Sequence, residues 1–211
     1  RMIQQASAVP EAEAGEPLPE PATLADLKKF PQLFWYICIG TCLIQASVQS
    51  FDVIGVSYIS AKWYANDGIE KAAEKSGQVF SLYRISSCIF APVWGLLIDK
   101  FGQRPLFFAS GCVIAFIAHL AVIVVPAAVP CAMFGIASTI VYTTAWPSIM
   151  IIISKENVGK ACGLVTSFEN LGLFILPIVD GIIKNMFGTY DSSQLFLASV
   201  ALVGTMAGIK L

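Results

Sequence analysis

Four polar residues follow one another in a stretch of the chain that is otherwise apolar: Thr41, Gln45, Gln49 and Asp52. On an α-helix, spacings of four, four and three place them within about 80° of one another at 100° per residue. Side-chain amides and a carboxylate on one face can bind a polar solute. They can also bond one helix to the next in a membrane, which remains the alternative interpretation. We expect Gln45, Gln49 and Asp52 to line a solute cavity.

Two opposite charges lie deep inside other apolar stretches. Ionisable groups at membrane depth generally face a bundle interior or water, because exposure to lipid is costly. The guanidinium of Arg84 can bind a carboxylate through two parallel hydrogen bonds. Glu169, followed by Asn170, can accept hydrogen bonds from an ammonium group. We expect these residues to bind the two ends of a zwitterion, with an ion pair between Arg84 and Glu169 as the alternative.

A further stripe consists of Ser138, Tyr142 and Trp146 at i, i+4 and i+8, followed by Pro147. Proline removes one backbone donor and favours a kink, as a gate in a cavity wall would require. Packing against neighbouring helices is the alternative role for the two aromatic rings. We include Tyr142 and Trp146 among the substrate-binding candidates.

Several kinds of chemistry are excluded by what the sequence lacks. The six cysteines form no Cys-x-x-Cys pair and His119 is the only histidine, so we expect no metal site and no cofactor. No protease or hydrolase motif occurs, so we expect no enzyme, and we interpret His119 as structural. A net charge of −1 without a basic cluster excludes nucleic acid as a partner.

The composition predicts an all-α membrane protein. Of 211 residues, 56% are hydrophobic and 13% charged, against about 45–50% and about 25% in soluble domains. A bilayer requires about 20 apolar helical residues. Runs of suitable length occupy residues 33–57, 77–98, 105–125, 129–153, 161–183 and 193–209, the last barely long enough. Residues 1–30, rich in proline and glutamate, are expected to be a disordered acidic linker. The start at Arg1 indicates a fragment.

Basic residues predict the orientation of these six spans. Seven lysines and arginines lie on the side of both termini and four on the opposite side. Because short cytoplasmic loops carry the excess of basic residues, we expect both termini and the linker to be cytosolic.

An internal repeat relates the second and fifth runs. Residues 77–102 and 163–188 share 8 identities in 26 positions without a gap, including a terminal Phe-Gly pair. Helices that are three apart cross the membrane in opposite directions. We therefore predict a 3+3 inverted repeat, the arrangement from which many secondary transporters are built.

The end of the second run reads Gly95-Leu96-Leu97-Ile98-Asp99-Lys100-Phe101-Gly102-Gln103-Arg104. This resembles the loop signature of the major facilitator superfamily, with Gln103 where a basic residue is usual. The resemblance implies the C-terminal half of a twelve-helix transporter, whose N-terminal six-helix half is the expected partner. It also implies that five residues form a conformational latch: Gly95, Asp99, Lys100, Gly102 and Arg104.

A narrower resemblance rests on Trp146-Pro147, the Gly-x-Ala-x-Gly sequence at residues 159–163 and the Asn-Leu-Gly sequence at residues 170–172. Together they are similar to the lysosomal dipeptide transporter group of the superfamily. The expected function is alternating-access transport of a small polar solute, such as a dipeptide, in a lysosomal or other endomembrane rather than the plasma membrane. Expected partners include lipid and an accessory membrane subunit. The alternative is a transporter-like scaffold or escort protein that moves nothing.

Overall fold

A computed structural model describes residues 30–211, which form six α-helices joined by short loops. The helices are α1 (Gln32–Trp63), α2 (Ile69–Phe101), α3 (Arg104–Val124), α4 (Ala128–Ile152), α5 (Val158–Phe187) and α6 (Tyr190–Gly208), with a 3-10 turn at Lys155–Asn157. This part of the chain contains no strand, so the all-α prediction is confirmed. The predicted linker lies outside the described residues except for Phe30, which is buried against Phe34.

Four of the six helices are longer than the apolar runs that predict them. Helix α1 continues six residues past the predicted end of its run, and α2 begins eight residues before its own. Residues 69–76 are rich in alanine, glutamate and lysine, which form helix readily whether or not lipid surrounds them. Five of the six helices are long and apolar enough to cross a membrane; α6 does not meet this criterion, and its first turn is polar.

The packing of the helices follows the predicted repeat. Helix α2 packs on α4, and its counterpart α5 packs on α1. In the same way, α3 contacts α4 while α6 contacts α1, and α3 and α6 contact each other. Exchanging α1–α3 with α4–α6 therefore preserves the contacts between the two units, whereas α5 packs on α6 and the equivalent pair α2 and α3 does not pack in this way. The second helix of each three-helix unit rests against the first helix of the other unit.

One close approach fixes how α2 meets α4. A Cβ added at Gly135 would lie 2.3 Å from the carbonyl oxygen of Tyr83 and 2.1 Å from Ser86 Oγ. Ser86 Oγ also donates a hydrogen bond to the carbonyl of Ala132 at 3.1 Å. Glycine is required at position 135 because the α2 backbone occupies the space of a side chain.

Burial is uneven among the helices. Sixteen residues of α1 and eleven of α4 are buried, against five of α2 and four of α5. Several large apolar side chains on α2 and α5 are exposed, among them Val93, Leu96, Phe174, Ile178 and Ile182. Helices α1 and α4 thus form the centre of the bundle, and α2 and α5 each present a broad apolar face that the described residues do not cover.

Candidate functional site

The polar stripe of α1 faces α4, and its members differ in exposure. Gln45 is fully enclosed: its Nε2 donates to the carbonyl of Ser138 at 3.2 Å, and Ser138 Oγ donates to Gln45 Oε1 at 3.2 Å. Thr41 is equally buried. Gln45 therefore joins α1 to α4, which favours its alternative role, whereas the hydroxyl of Thr41 has no hydrogen-bond partner. Only Gln49 and Asp52 retain partial exposure.

Gln49 and Tyr142 lie in contact between α1 and α4. Gln49 Nε2 donates to the Tyr142 hydroxyl oxygen at 3.1 Å, and both side chains are half-buried. One turn further along α4, Trp146 packs against the apolar core and is also half-buried. Helix α4 remains continuous through Pro147. Its central part thus offers a phenol and an indole ring beside the Gln49 amide.

Arg84 forms an ion pair with Asp52, which joins α2 to α1. Glu169, considered as its partner from the sequence, does not contact it. The reason is the packing: α2 and α5 each pack on the central helices α1 and α4, and they do not pack on each other. The Arg84 side chain is 63% exposed, and its guanidinium carbon lies 4.7 Å from the centre of the Tyr83 ring. One hydrogen bond occupies only part of its donor set.

Tyr83 is a site residue that the sequence analysis did not identify. Its ring is buried, and the guanidinium of Arg84 lies over the face of that ring. The available signal was its position directly before the only basic residue within the six runs. An aromatic residue beside arginine in an apolar helix is too common to single out on that basis.

Glu169 is 7% exposed, and its Oε1 atom has no hydrogen-bond donor. Its carboxyl interacts electrostatically with Tyr142 on α4 and with Cys38 and Cys42 on α1. The neighbouring Asn170 is exposed. The site therefore contains an acceptor that the described residues leave unsatisfied, close to the aromatic part of α4.

Asp180 and His119 lie away from this site. Asp180 is 1% exposed, and its backbone carbonyl accepts a 3.4 Å hydrogen bond from Ser193 on α6. Its Oδ1 atom has no hydrogen-bond partner. His119 is fully buried, with Nδ1 3.1 Å from Gln194 Oε1 and its ring against Phe134. These contacts agree with a structural role for His119.

The predicted latch residues lie together at the junction of α2 and α3. Arg104 Nη2 is 3.4 Å from Asp99 Oδ1. Lys100 is exposed, and its Nζ lies 5.8 Å from the centre of the Phe101 ring. Gly102 has a φ of 67°, which allows the sharp turn between the helices. A Cβ at Gly95 would have no neighbour within 4 Å.

Comparison with known proteins provides independent information on this chain. The sequence model of the Major Facilitator Superfamily matches residues 37–210. The lysosomal dipeptide transporter MFSD1 of Gallus gallus is 24% identical over 182 residues, which cover 85% of this chain and 40% of that protein. The protein of the same name from Homo sapiens is 25% identical over 181 residues, with 85% and 38% covered.

A bacterial protein is also similar. The multi-drug resistance efflux pump PmrA of Streptococcus pneumoniae serotype 4 is 26% identical over 145 residues, covering 63% of this chain and 35% of the pump. The chain thus spans about two fifths of the length of the relatives it matches. All of them are named as transporters.

Proposed function

Because the chain belongs to the major facilitator superfamily, we propose that it forms one half of a transporter that moves a small polar solute by alternating access. The protein is an integral membrane protein, and six helices are half the number that the family fold uses. The observation that carries the proposal is the exposed Arg84–Asp52 ion pair, placed on a face that no described element covers. A charge at this depth is costly unless water or a ligand reaches it.

The proposed substrate is a dipeptide or a similar zwitterion. Arg84 has further N–H donors that can bind a carboxylate, and Glu169 has an unpaired oxygen that can accept from an ammonium group. Tyr142 and Gln49 lie between the helices that carry these charges. The relatives named lysosomal dipeptide transporter support this substrate class and a lysosomal or other endomembrane location.

Asp52 gives the site a way to exchange partners. It neutralises Arg84, so that no isolated charge faces the apolar surroundings. A substrate carboxylate competes for the same guanidinium, and bidentate geometry favours the carboxylate that can approach in the plane of the fork. Release of Asp52 would then couple substrate binding to the relative position of α1 and α2.

The remaining partners follow from the uncovered faces. The broad apolar sides of α2 and α5 fit a second six-helix half, with lipid around the outer helices and an accessory membrane subunit as a further partner. Gly95, Asp99, Lys100, Gly102 and Arg104 would serve as the latch at the interface with that half.

Uptake by the full-length protein in proteoliposomes tests the proposal. A radiolabelled dipeptide should accumulate faster than in empty vesicles. The same dipeptide with an amidated carboxylate, or with an acetylated amine, should compete poorly, because each change removes one of the two proposed charge contacts.

Two outcomes would contradict the proposal. Absence of uptake for dipeptides, amino acids and cationic drugs, in a protein that is folded and correctly inserted, would favour the scaffold or escort role. Uptake of apolar cations without competition by dipeptides would place the activity closer to that of the efflux pump relative.

A further inference from the structure

A second candidate binding site lies at the junction of α2 and α3, away from the Arg84 site. The Nη1 atom of Arg104 is buried and has no hydrogen-bond partner. The other terminal nitrogen makes a single long contact, 3.4 Å, to Asp99, whose side chain is 76% exposed. A guanidinium has five N–H donors and no way to lose its charge, so a buried donor without an acceptor is costly. The Arg104 guanidinium therefore has a buried donor that an anion could satisfy.

A pocket of about 210 Å³ opens beside this guanidinium. Apart from Arg104 its walls are mainly apolar, with Leu33 and Ile37 from α1 and Phe108 from α3. The hydroxyl groups of Thr144 and Ser148 also line it, but each donates to a carbonyl of its own helix, at 2.6 and 2.7 Å. Arg104 thus provides the one cationic group of the pocket, and the walls suit hydrocarbon.

The pocket is open at its rim, where two apolar side chains are exposed. Ile151 lines the pocket and is 69% exposed, and Leu33 is 39% exposed. Carbon chains can continue outward over these side chains. A ligand with an anionic head and an apolar body therefore fits better than a small hydrophilic ion.

The charge at this end of the bundle also favours an anion. Among the described residues here, five are basic and two are acidic: Lys100, Arg104, Lys155, Lys160 and Lys210 against Asp99 and Glu156. This is the end predicted to face the cytosol, where anionic lipids concentrate and basic pockets between helices bind their headgroups.

The geometry points to a phospholipid site in which Arg104 binds the headgroup phosphate and the pocket between α1, α3 and α4 receives the adjoining glycerol and first acyl carbons. The ligand class is an anionic phospholipid of the cytosolic leaflet. This assignment is independent of the solute that the protein carries, and it gives Arg104 a ligand besides Asp99.

Binding of short-chain lipids to the delipidated full-length protein, measured by native mass spectrometry, tests the site. Dioctanoyl phosphatidylglycerol should bind wild type, and Arg104→Gln should weaken that binding by about tenfold, because a charge-assisted hydrogen bond is lost. Arg104→Lys keeps the charge without the fork and should weaken it by about threefold. Lys155→Gln is the matched control: it removes one positive charge from an exposed side chain at the same end of the bundle but outside the pocket, and it should change binding by less than about twofold.

Three results would overturn the assignment. Equal binding of phosphatidylglycerol to wild type and Arg104→Gln would remove Arg104 from the site. Equal binding of dioctanoyl phosphatidylcholine would show that headgroup charge is not recognised. Displacement of the lipid by equimolar inorganic phosphate would identify a site for a free ion. If Arg104→Gln fails to fold, Arg104→Lys and the comparison of lipids on wild type decide among the same outcomes.

Discussion

The two helices related by the repeat, α2 and α5, share their backbone design and differ in their charges. Both end in a Phe-Gly pair whose glycine has a left-handed conformation, with φ of 67° at Gly102 and 69° at Gly188. Each contains one proline, at positions that align to within one residue. Both bury few residues and lie against the first helix of the opposite unit.

Their ionisable residues follow a different pattern. Helix α2 carries an exposed cation, Arg84, neutralised by Asp52 on α1. Helix α5 carries two buried carboxyl groups, Glu169 and Asp180, each with one oxygen that has no donor, and Asp180 is enclosed against α6. The repeat has thus kept the helix ends and the contact with the opposite unit, while the chemistry within the two copies has diverged. Experiments can separate these two levels.

The largest expected effect concerns topology, because an inverted repeat places the C-terminal ends of α2 and α5 on opposite sides of the membrane. In a cysteine-free background, Gln103→Cys should react with an impermeant maleimide only from the cytosol. Thr189→Cys should react only from the opposite side, as should Asn66→Cys, whereas Asn157→Cys should behave like Gln103→Cys. Reaction of positions 103 and 189 from the same side would show that α2 and α5 are not related by an inverted repeat.

Next in size is the loss of the exposed charge of α2. Arg84→Ala should reduce dipeptide uptake about a hundredfold, since two hydrogen bonds to a charged group together contribute on the order of 3 kcal/mol. Arg84→Lys should reduce it by about tenfold, because lysine lacks the fork. Lys75→Ala is the matched control: it removes an ion pair, Lys75–Asp67 at 2.8 Å, from the polar first turns of the same helix and should leave uptake nearly unchanged.

A double variant distinguishes a substrate contact from a structural ion pair. If Arg84 chiefly neutralises Asp52, then Arg84→Ala combined with Asp52→Ala should restore much of the uptake lost in either single variant. If Arg84 binds the carboxylate, the double variant should remain as inactive as Arg84→Ala. Amidation of the substrate should then reduce uptake by wild type and Asp52→Ala, and should have little further effect on Arg84→Ala.

A smaller effect is expected for the two carboxyl groups of α5. Glu169→Gln should raise the KM for a dipeptide by about tenfold, since it removes one charged acceptor from the proposed ammonium site. Acetylation of the substrate amine should then cost the variant little. Asp180→Asn, the same change of charge on the same helix, should leave KM unchanged because α6 encloses that side chain. Equal effects of the two substitutions would show that the charge of α5, and not the position of Glu169, matters.

The same contrast explains what the sequence could predict. Apolar runs predicted six helices and the repeat predicted that α2 and α5 are equivalent, because hydropathy and periodicity depend on local composition. They missed the polar first turns of α2, since residues 69–76 form helix outside the apolar run. Local patterns cannot show which side chains meet, so Asp52 was not identified as the partner of Arg84.

The sequence also could not predict which polar side chains are buried. Gln45 and Gln49 lie on one face of α1, yet only Gln49 retains exposure, because Ser138 encloses Gln45. Likewise Glu169 and Asp180 share a face of α5 but meet different helices. Such differences depend on crossing points between helices, which a single sequence does not contain.

The smallest predicted effect tests the shared backbone. Gly102→Ala and Gly188→Ala should each cost roughly 1–2 kcal/mol of unfolding free energy, because an L-residue resists the left-handed conformation that both positions adopt. Nothing lies within 4 Å of a Cβ at either glycine, so strain in the backbone is the only expected cost. Gly77→Ala and Gly163→Ala, a second aligned pair inside the helices, should instead be neutral or gain up to about 1 kcal/mol. Chemical denaturation of the full-length protein in detergent measures all four.

Equal costs at positions 102 and 188 would support a shared structural role. A clearly larger cost at Gly102, or lost uptake there without lost stability, would mean that the α2 turn has acquired the latch function that its counterpart in α5 lacks, and that the two copies have diverged in their backbone as well as in their charges.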